Sequence, residues 1–112
     1  MQLRLISDAL NTEPLDTPVV VGRADDADLT LQDIWASRHH CEFDEVDGEV
    51  ILRDLNSTHG TLVNDEPITE RVLMPGDEVV IGLTRFAVMW KGSNIRTQQT
   101  ENNASAARGN VV

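Results

Sequence analysis

The sequence has few aromatic residues and no long hydrophobic run. Aromatic residues make up 4% of the 112 residues, and tyrosine is absent. The core of a folded domain must therefore be built mainly from aliphatic side chains. The longest uninterrupted apolar stretch, residues 86–90, is far shorter than the roughly 20 residues of a membrane-spanning helix. We therefore expect no association with a membrane.

Cysteine is also scarce. Cys41 is the only one, which excludes an intrachain disulfide and fits a reducing compartment. Residues 1–5 lack the apolar centre of a secretory signal. No second cysteine and no suitably spaced histidine pair accompanies His39, His40 and Cys41, so the sequence predicts no metal site. We expect a cytoplasmic protein without a cofactor.

Positive charge is the third scarcity. Lysine occurs once, at Lys91, and the net charge is −10. Residues 1–90 hold six arginines against eighteen acidic residues, which gives this part of the chain a charge of −12. Such a field repels nucleic acid and anionic lipid at long range, so neither is an expected partner. An anionic ligand would have to bind through a local group of arginines.

Short strands dominate what the sequence does contain. Apolar residues alternate with polar ones in several segments, as is typical of half-buried strands, and no window of eleven residues has a helical period. Three β-branched runs, at residues 19–21, 50–52 and 79–81, predict strands covered on both faces. Turn-forming pairs such as Asp47-Gly48 and Asn64-Asp65 separate the segments. Seven or more such strands indicate an all-β sandwich.

The composition changes after Trp90. Residues 92–112 contain few large apolar side chains and cannot offset the loss of chain entropy by burial. We therefore predict one folded domain over residues 1–91, a monomer in isolation, and a flexible polar tail or linker over residues 92–112.

Three polar loops lie between the predicted strands and hold the candidate contacts for a ligand. If these loops gather at one end of the sandwich, Arg23, Ser37, Arg38, Thr58 and His59 converge there. Guanidinium groups match phosphate oxygens bidentately, and hydroxyls add further donors. None of these side chains is a nucleophile with its own oriented base, so the group predicts binding without catalysis.

Four motifs in order make the chain resemble a forkhead-associated (FHA) domain over roughly residues 1–90. They are Gly22-Arg23, the run Ser37-Arg38-His39-His40, the stretch DLNSTHGTLVN at residues 54–64, and a Leu-x-x-Gly-Asp-x-Val-x-Ile-Gly-like segment at residues 73–82. The resemblance implies a mostly antiparallel β-sandwich of about eleven strands, with recognition loops at one end that bind phosphothreonine peptides. It also implies a Ser/Thr kinase that phosphorylates the partner.

The resemblance assigns roles to the loop residues by position. Arg23, Ser37 and Arg38 would contact the phosphate, Thr58 would approach it from the third loop, and His59 stands where the family usually has asparagine. A histidine can still contact the peptide, with a dependence on pH that asparagine would lack. Other residues would support the binding loops from behind: Gly22, His40, Asp54, Ser57, Gly60 and Asn64.

Several alternatives stay open at this point. The same fold could act as a scaffold or assembly module that meets a protein partner through a sheet face without phosphate. A hydrolase built on Ser37 with a histidine and an aspartate is the enzyme alternative, but the chain has no Gly-x-Ser-x-Gly elbow. Trp35 either closes the base of its loop or presents an aromatic ring at the recognition end.

Overall fold

The computed structural model describes residues 1–91 and contains strands, turns and bends without a helix in that range. The predicted all-β sandwich of about eleven strands is confirmed, and the predicted tail at residues 92–112 lies outside the described residues. The strands are β1 Gln2–Ile6, β2 Leu15–Asp16, β3 Val19–Gly22, β4 Leu29–Thr30, β5 Cys41–Val46, β6 Glu49–Asp54, β7 Thr61–Val63, β8 Glu66–Ile68, β9 Glu70–Val72, β10 Glu78–Ile81 and β11 Thr84–Trp90.

The strands form two sheets. One sheet has the order β2-β1-β11-β10-β7-β8, and the other has the order β4-β3-β5-β6-β9. The paired strands for which a register is defined are antiparallel except β3 and β4, which are parallel. No helix within residues 1–91 is long and apolar enough to pass through a lipid bilayer.

The core lies between the sheets and is mainly aliphatic, as the shortage of aromatic residues requires. Alternate residues of the longer strands point inward, and Leu3 and Leu5 of β1 are fully buried. Phe43 and Phe86 contribute one ring from each sheet, with their centroids 6.4 Å apart. The Cys41 thiol is buried among these side chains, and the burial raises its pKa.

The three β-branched runs are strands, but they are not covered on both faces as their sequence predicted. Val20, Ile51 and Val80 at their centres are half-buried, whereas the flanking residues point into the core. A sandwich has two layers, so each strand has an outward face that only side chains of neighbouring strands can shield.

Tight turns close one end of the sandwich. Asp47 and Gly48 have φ values of 53° and 82°, and Asn64 and Asp65 have φ values of 49° and 70°. Two successive residues with positive φ match the twist of the strands they join, and Asx residues and glycine tolerate that geometry best. We call this end, with the turns at residues 47–48, 64–65 and 75–77, the far end.

The longer loops gather at the opposite end. Cys41, the first residue of β5, pairs with Asp54, the last residue of β6. Thr61, the first residue of β7, pairs with Ile81, the last residue of β10. We call this end, with the loops at residues 23–28, 31–40, 55–60 and 82–83, the loop end.

Candidate functional site

Backbone hydrogen bonds join the first two loops of the loop end. The Arg23 N–H donates to the Ser37 carbonyl and the Ala24 N–H donates to the Arg38 carbonyl, both at 3.0 Å. Gly22 permits this approach, because a Cβ there would lie 2.1 Å from the Arg38 carbonyl oxygen. A side chain at position 22 would therefore push the two loops apart.

His40 joins the second loop to the third. Its ring is fully buried, its Nδ1 lies 2.9 Å from the Ser37 backbone nitrogen, and its Nε2 lies 2.8 Å from the Gly60 carbonyl oxygen. Because the Ser37 N–H donates, Nδ1 must accept, and the proton of a neutral imidazole then sits on Nε2 and points at Gly60. The two contacts thus fix both the tautomer and the ring orientation.

Asp54 shapes the third loop. Its carboxylate accepts hydrogen bonds from the Ser57 N–H, the Ser57 hydroxyl and the Thr61 hydroxyl at 3.0, 2.6 and 2.6 Å. Burial by itself would raise the pKa of Asp54, but these hydrogen bonds outweigh it and lower the pKa below its usual value. Ser57 also accepts from the Gly60 N–H at 2.9 Å, and Gly60 turns the chain with a φ of 86°.

Ser37 and Thr58 meet across the loop end. The Thr58 N–H donates to the Ser37 hydroxyl oxygen at 2.9 Å. The Ser37 hydroxyl thus serves as an acceptor toward the protein, and its own hydrogen has no acceptor in the described part of the chain. Thr58 is exposed, and Ser37 is half-buried beside it.

The six arginines of residues 1–91 divide into two groups. Arg53 lies within 4 Å of three carboxylates, Arg85 bonds two carboxylates, and Arg71 bonds one. Arg4 donates to the Asn11 side chain and the Thr12 carbonyl.

Arg23 and Arg38 form the second group, since neither has an acidic partner within 4 Å or a bond from a terminal guanidinium nitrogen in the described part of the chain. Arg4 also lacks an acidic partner, but its Nη2 donates to the Asn11 side chain. Both are exposed at the loop end. Arg23 is anchored by its Nε, which donates to the Ala36 carbonyl at 3.1 Å. The two terminal nitrogens of the Arg23 guanidinium have no acceptor in the described chain and are available to a ligand.

His39 bonds an acidic residue of the first loop. Its Nε2 lies 2.8 Å from an Asp26 carboxylate oxygen, and this contact ties the first loop to the second at the surface. The hydrogen bond and the charge of His39 lower the pKa of Asp26. Arg38 adds a smaller attraction to the same carboxylate.

His59 and Trp35 form an aromatic pair at the rim of the loop end. Their ring centroids are 5.2 Å apart with an interplanar angle of 68°, an edge-to-face arrangement. Trp35 remains 47% exposed, so of the two roles left open by the sequence, the structure favours the presented ring over the buried plug. Trp35 therefore supports His59 and also offers its own surface to a ligand.

The sequence reasoning missed Asp33. Its carboxylate accepts hydrogen bonds from the Trp35 N–H at 2.9 Å, from the Leu83 N–H at 2.8 Å and from the Thr84 hydroxyl at 2.6 Å. Burial would raise the pKa of Asp33, but these donors lower it overall. Two of its three partners, Leu83 and Thr84, lie 50 and 51 residues along the chain, so no local pattern could have identified its link to the β10–β11 turn.

The structure brings Arg23, Ser37, Arg38, Thr58 and His59 to one end of the sandwich. It does not bring Asn64 there. Asn64 lies at the far end, where its side chain donates to Asp77 at 3.1 Å and accepts from the Glu78 N–H at 3.0 Å. Asn64 therefore fixes the β7–β8 turn to the start of β10.

The chemistry of the loop end is that of an anion-binding surface. It offers two guanidinium groups, a hydroxyl that is free to donate its hydrogen within the described chain and an imidazole, held by hydrogen-bonded loops. The Ser37 hydroxyl has no imidazole base among residues 1–91, because His40 takes the Ser37 backbone N–H instead. Within the same residues, no group of three or more His, Cys, Asp or Glu side chains is placed to hold a metal ion.

Comparison with known protein families and curated proteins gives a consistent result. A family model of the FHA domain matches residues 19–82. The glycogen accumulation regulator GarA of Mycolicibacterium smegmatis is 43% identical over 76 residues, which is 67% of this chain and 48% of the regulator. The chain spans about half the length of the curated relatives it matches.

Solved structures agree with the two-sheet architecture. One is from a structural and functional analysis of phosphothreonine-dependent FHA domain interactions; it has a TM-score of 0.73 and 34% identity, and the match covers 81% of this chain and 96% of that one. The FhaA FHA domain in complex with the intracellular domain of Rv3910 has a TM-score of 0.68 and 33% identity, with coverage of 78% and 97%.

Proposed function

The chain belongs to the FHA-domain family, and on that premise we propose that residues 1–91 form a non-catalytic module that binds phosphothreonine-containing proteins or peptides. The single observation that carries the proposal is the division of the arginines. In a region with a large excess of acidic residues, the two arginines whose terminal guanidinium nitrogens have no hydrogen-bond or ion-pair partner in the described chain are both at the loop end.

Arg23 and Ser37 would make the central contacts with the phosphate. Anchoring of the Arg23 Nε on Ala36 fixes the guanidinium, so that its terminal nitrogens can bind two phosphate oxygens. The Ser37 hydroxyl, held by the Thr58 N–H, would donate its hydrogen to a third oxygen. Arg38, which follows Ser37 in the second loop, would add a second positive charge near the phosphate.

Thr58 and His59 would contact the ligand from the third loop. Thr58 is exposed next to Ser37, at the position where the phosphate or the adjoining peptide would lie. His59 is exposed and supported by Trp35, so its ring can reach a backbone carbonyl of the peptide. Neither contact requires a rearrangement of the hydrogen bonds that hold the loops.

The expected affinity follows from the number of charged contacts. A phosphorylated threonine carries about −1.5 to −2 charges at pH 7. Each hydrogen bond to a charged group contributes roughly 1.5–3 kcal/mol, so three or four such bonds support micromolar binding, which requires about 8 kcal/mol. Phosphothreonine would be preferred over phosphoserine through burial of its methyl group.

The biological setting follows from the ligand. A phosphothreonine reader requires a Ser/Thr kinase that modifies its partner, and we place both in the cytoplasm, where the single buried cysteine stays reduced. The module would carry no reaction of its own. The relative GarA is described as a regulator, and we propose a regulatory or adaptor role of this kind here.

A titration of the 112-residue chain tests the proposal. A phosphothreonine peptide, its unphosphorylated twin and a phosphoserine version are each titrated into wild type and into Arg23→Ala by isothermal calorimetry. We expect micromolar binding of the phosphothreonine peptide, binding of the phosphoserine peptide that is weaker by a factor of about four, and no binding of the unphosphorylated peptide. Arg23→Ala should lose roughly a hundredfold or more, consistent with two hydrogen bonds to a charged group.

Arg71→Ala is the matched control. It removes the same charge from β9, where Arg71 bonds Glu66, and should leave the affinity within about twofold. Equal isotherms for the phosphorylated and unphosphorylated peptides would refute the proposal. They would favour the phosphate-independent scaffold that binds through a sheet face.

A further inference from the structure

Asp33 joins the two sheets at the loop end. It lies in the second loop, which belongs to the sheet of β4 and β5, and its Oδ2 accepts from the Leu83 N–H and the Thr84 hydroxyl, where β10 turns into β11 of the other sheet. Gly82 allows this contact, because a Cβ there would lie 2.7 Å from both carboxylate oxygens. Asp33 is only 7% exposed, so one buried carboxylate fixes the second loop to the opposite sheet.

Asp33 also shapes the chain that follows it. Its Oδ1 accepts from the Trp35 N–H at 2.9 Å, and its backbone carbonyl accepts from the Ala36 N–H at 3.0 Å. A side-chain bond two residues along and a carbonyl bond three residues along are the two bonds of a tight turn that begins with aspartate. This turn places Ala36, which is buried at its end.

The Ala36 carbonyl is the anchor of Arg23. The Arg23 Nε donates to it at 3.1 Å, and no other hydrogen bond holds this side chain within residues 1–91. An arginine side chain has many rotamers, so the guanidinium would lose its fixed direction without this bond. His40 holds the next backbone N–H, that of Ser37. The Asp33 turn and His40 therefore secure the Ala36 carbonyl from its two sides.

The negative charge of Asp33 lies in a loop that the proposed function requires to attract phosphate, so the charge needs a structural reason. Three donors meet the carboxylate, one at Oδ1 and two at Oδ2, and together they lower its pKa despite its burial. Asparagine would direct an NH2 donor at the N–H of either Trp35 or Leu83, and one bond would become a repulsion. An ionised carboxylate accepts on both sides, and an amide does not.

We propose that Asp33 is a positioning residue for phosphothreonine binding: joined to the β10–β11 turn, it sets the Ala36 carbonyl and thereby the direction of the Arg23 guanidinium. This inference rests on the proposed function and adds to it a residue that takes part without touching the ligand. A role in stability alone predicts a different result, because the folded fraction of an Asp33 variant would then bind as tightly as wild type.

The affinity of Asp33→Asn for a phosphothreonine peptide is the first test. The 112-residue chain is titrated by calorimetry at a temperature at which urea denaturation shows both wild type and variant to be folded. We expect the affinity to fall about tenfold, because a guanidinium without its anchor loses the equivalent of one hydrogen bond to the phosphate.

Asp77→Asn is the matched control. The Asp77 carboxylate also accepts a backbone N–H and a side-chain donor, from Met74 and Asn64, but it lies at the far end. The substitution should lower stability and leave the affinity within about twofold of wild type, because the two sites share no partner. An affinity loss as large as that of Asp33→Asn would show a general effect of instability and would overturn the positioning role.

A spectroscopic measurement follows the Arg23 anchor directly. The Arg23 Nε–H gives its own signal in a nitrogen–proton NMR spectrum, assigned by its absence from Arg23→Lys, and its exchange with water reports the bond to Ala36. Exchange should be severalfold faster in Asp33→Asn and unchanged in Asp77→Asn.

A double-mutant cycle tests whether Asp33 acts through Arg23. Arg23→Lys keeps the positive charge but lacks the anchored Nε–H, so there is no guanidinium left to position. In that background, Asp33→Asn should lower the affinity by less than about twofold. An equal loss in both backgrounds would show that Asp33 acts by another route.

Thr84→Val tests the same link if Asp33→Asn does not fold. It removes one of the three bonds to the Asp33 carboxylate and leaves the second loop unchanged. We expect a smaller change of the same kind, with about a threefold loss of affinity and faster exchange of the Arg23 Nε–H.

The outcomes separate this inference from the proposed function. If folded Asp33→Asn, or Thr84→Val in its place, binds the phosphothreonine peptide as tightly as wild type, the positioning role is overturned and the proposed function stands. Absence of phosphate-dependent binding in wild type overturns both.

Discussion

The two ends of the sandwich are built from similar groups but satisfy them differently. At the far end, Asn64 bonds Asp77 and the Glu78 N–H, and the second Asp77 oxygen accepts from the Met74 N–H. Every partner in that network belongs to the protein. At the loop end, the network around His40 is equally closed, but the terminal nitrogens of Arg23 and the hydroxyl hydrogen of Ser37 have no acceptor in the described part of the chain.

This difference separates a structural network from a binding site. A network whose donors are all used within the fold contributes to stability alone. A network that holds a few donors rigid and leaves them without a partner in the described chain contributes to stability and prepares the protein for an acceptor from outside. Three substitutions test whether the two ends divide in this way.

His40→Ala should have the largest effect, because it damages both functions of the loop end. It leaves the Ser37 N–H and the Gly60 carbonyl without their buried partner and creates a cavity. We expect the free energy of unfolding to fall by about 2–4 kcal/mol, and the affinity for a phosphothreonine peptide to fall at least tenfold. Urea denaturation and calorimetry measure the two quantities.

His39→Ala serves as its control, since the neighbouring histidine is partly exposed and bonds only the exposed Asp26 within the described chain. It should change stability and affinity little. If His40→Ala kept wild-type affinity, the link from His40 to the phosphate site would be wrong.

Asn64→Ala should have an intermediate effect confined to stability. It removes two hydrogen bonds and places alanine at a φ of 49°. We expect a loss of about 1–3 kcal/mol in urea denaturation, with unchanged peptide affinity. Asn64→Gly separates the causes, because glycine tolerates that φ but also lacks the hydrogen bonds. A severalfold change in affinity from a folded Asn64 variant would show that the two ends are coupled.

Acid should affect the loop end through Asp54, and this effect should be the smallest of the three. Hydrogen bonds hold the pKa of Asp54 in the folded protein below its unfolded value near 3.8. Its contribution to stability is therefore complete above about pH 5 and is lost as the pH falls through and below 4. Asp54→Asn should flatten the fall in unfolding free energy between pH 5 and 3.

One titrating group changes that slope by at most about 1.4 kcal/mol per pH unit. Asp47→Asn is the control, because the Asp47 carboxylate accepts no hydrogen bond within residues 1–91 and asparagine tolerates its φ of 53°. If the unfolding free energy of Asp54→Asn fell with pH in parallel with that of wild type, Asp54 would not be the source of the acid sensitivity.

The sequence predicted the parts of the fold that depend on local patterns. Alternation at Leu3 and Leu5 indicated β1, and the pairs Asp47-Gly48 and Asn64-Asp65 indicated turns that the structure contains with positive φ. Local patterns could not define the two-residue strands β2 and β4, because two residues show no periodicity. They also overstated the burial of Val20, since whether a second layer covers a strand depends on the whole fold.

The same distinction between local patterns and the whole fold applies to the candidate site. The loop motifs identified Arg23, Ser37 and the third loop, because their residue types carry the chemistry directly. Asp33 and Leu83 could not be found in this way. Their relation is a hydrogen bond between residues 50 positions apart, and the local bond from the Trp35 N–H to Asp33 does not indicate it. The far-end position of Asn64 likewise depends on strand register.

The backbone bonds from Arg23 to Ser37 and from Ala24 to Arg38 have a consequence for timing. Since these loops are joined before any ligand arrives, the entropy of ordering them is lost when the domain folds and not at each encounter. Capture then needs no slow rearrangement, and micromolar complexes that form rapidly also dissociate rapidly. Such a module would follow the rise and fall of phosphorylation within seconds, so the kinase and its opposing phosphatase would set the duration of the signal.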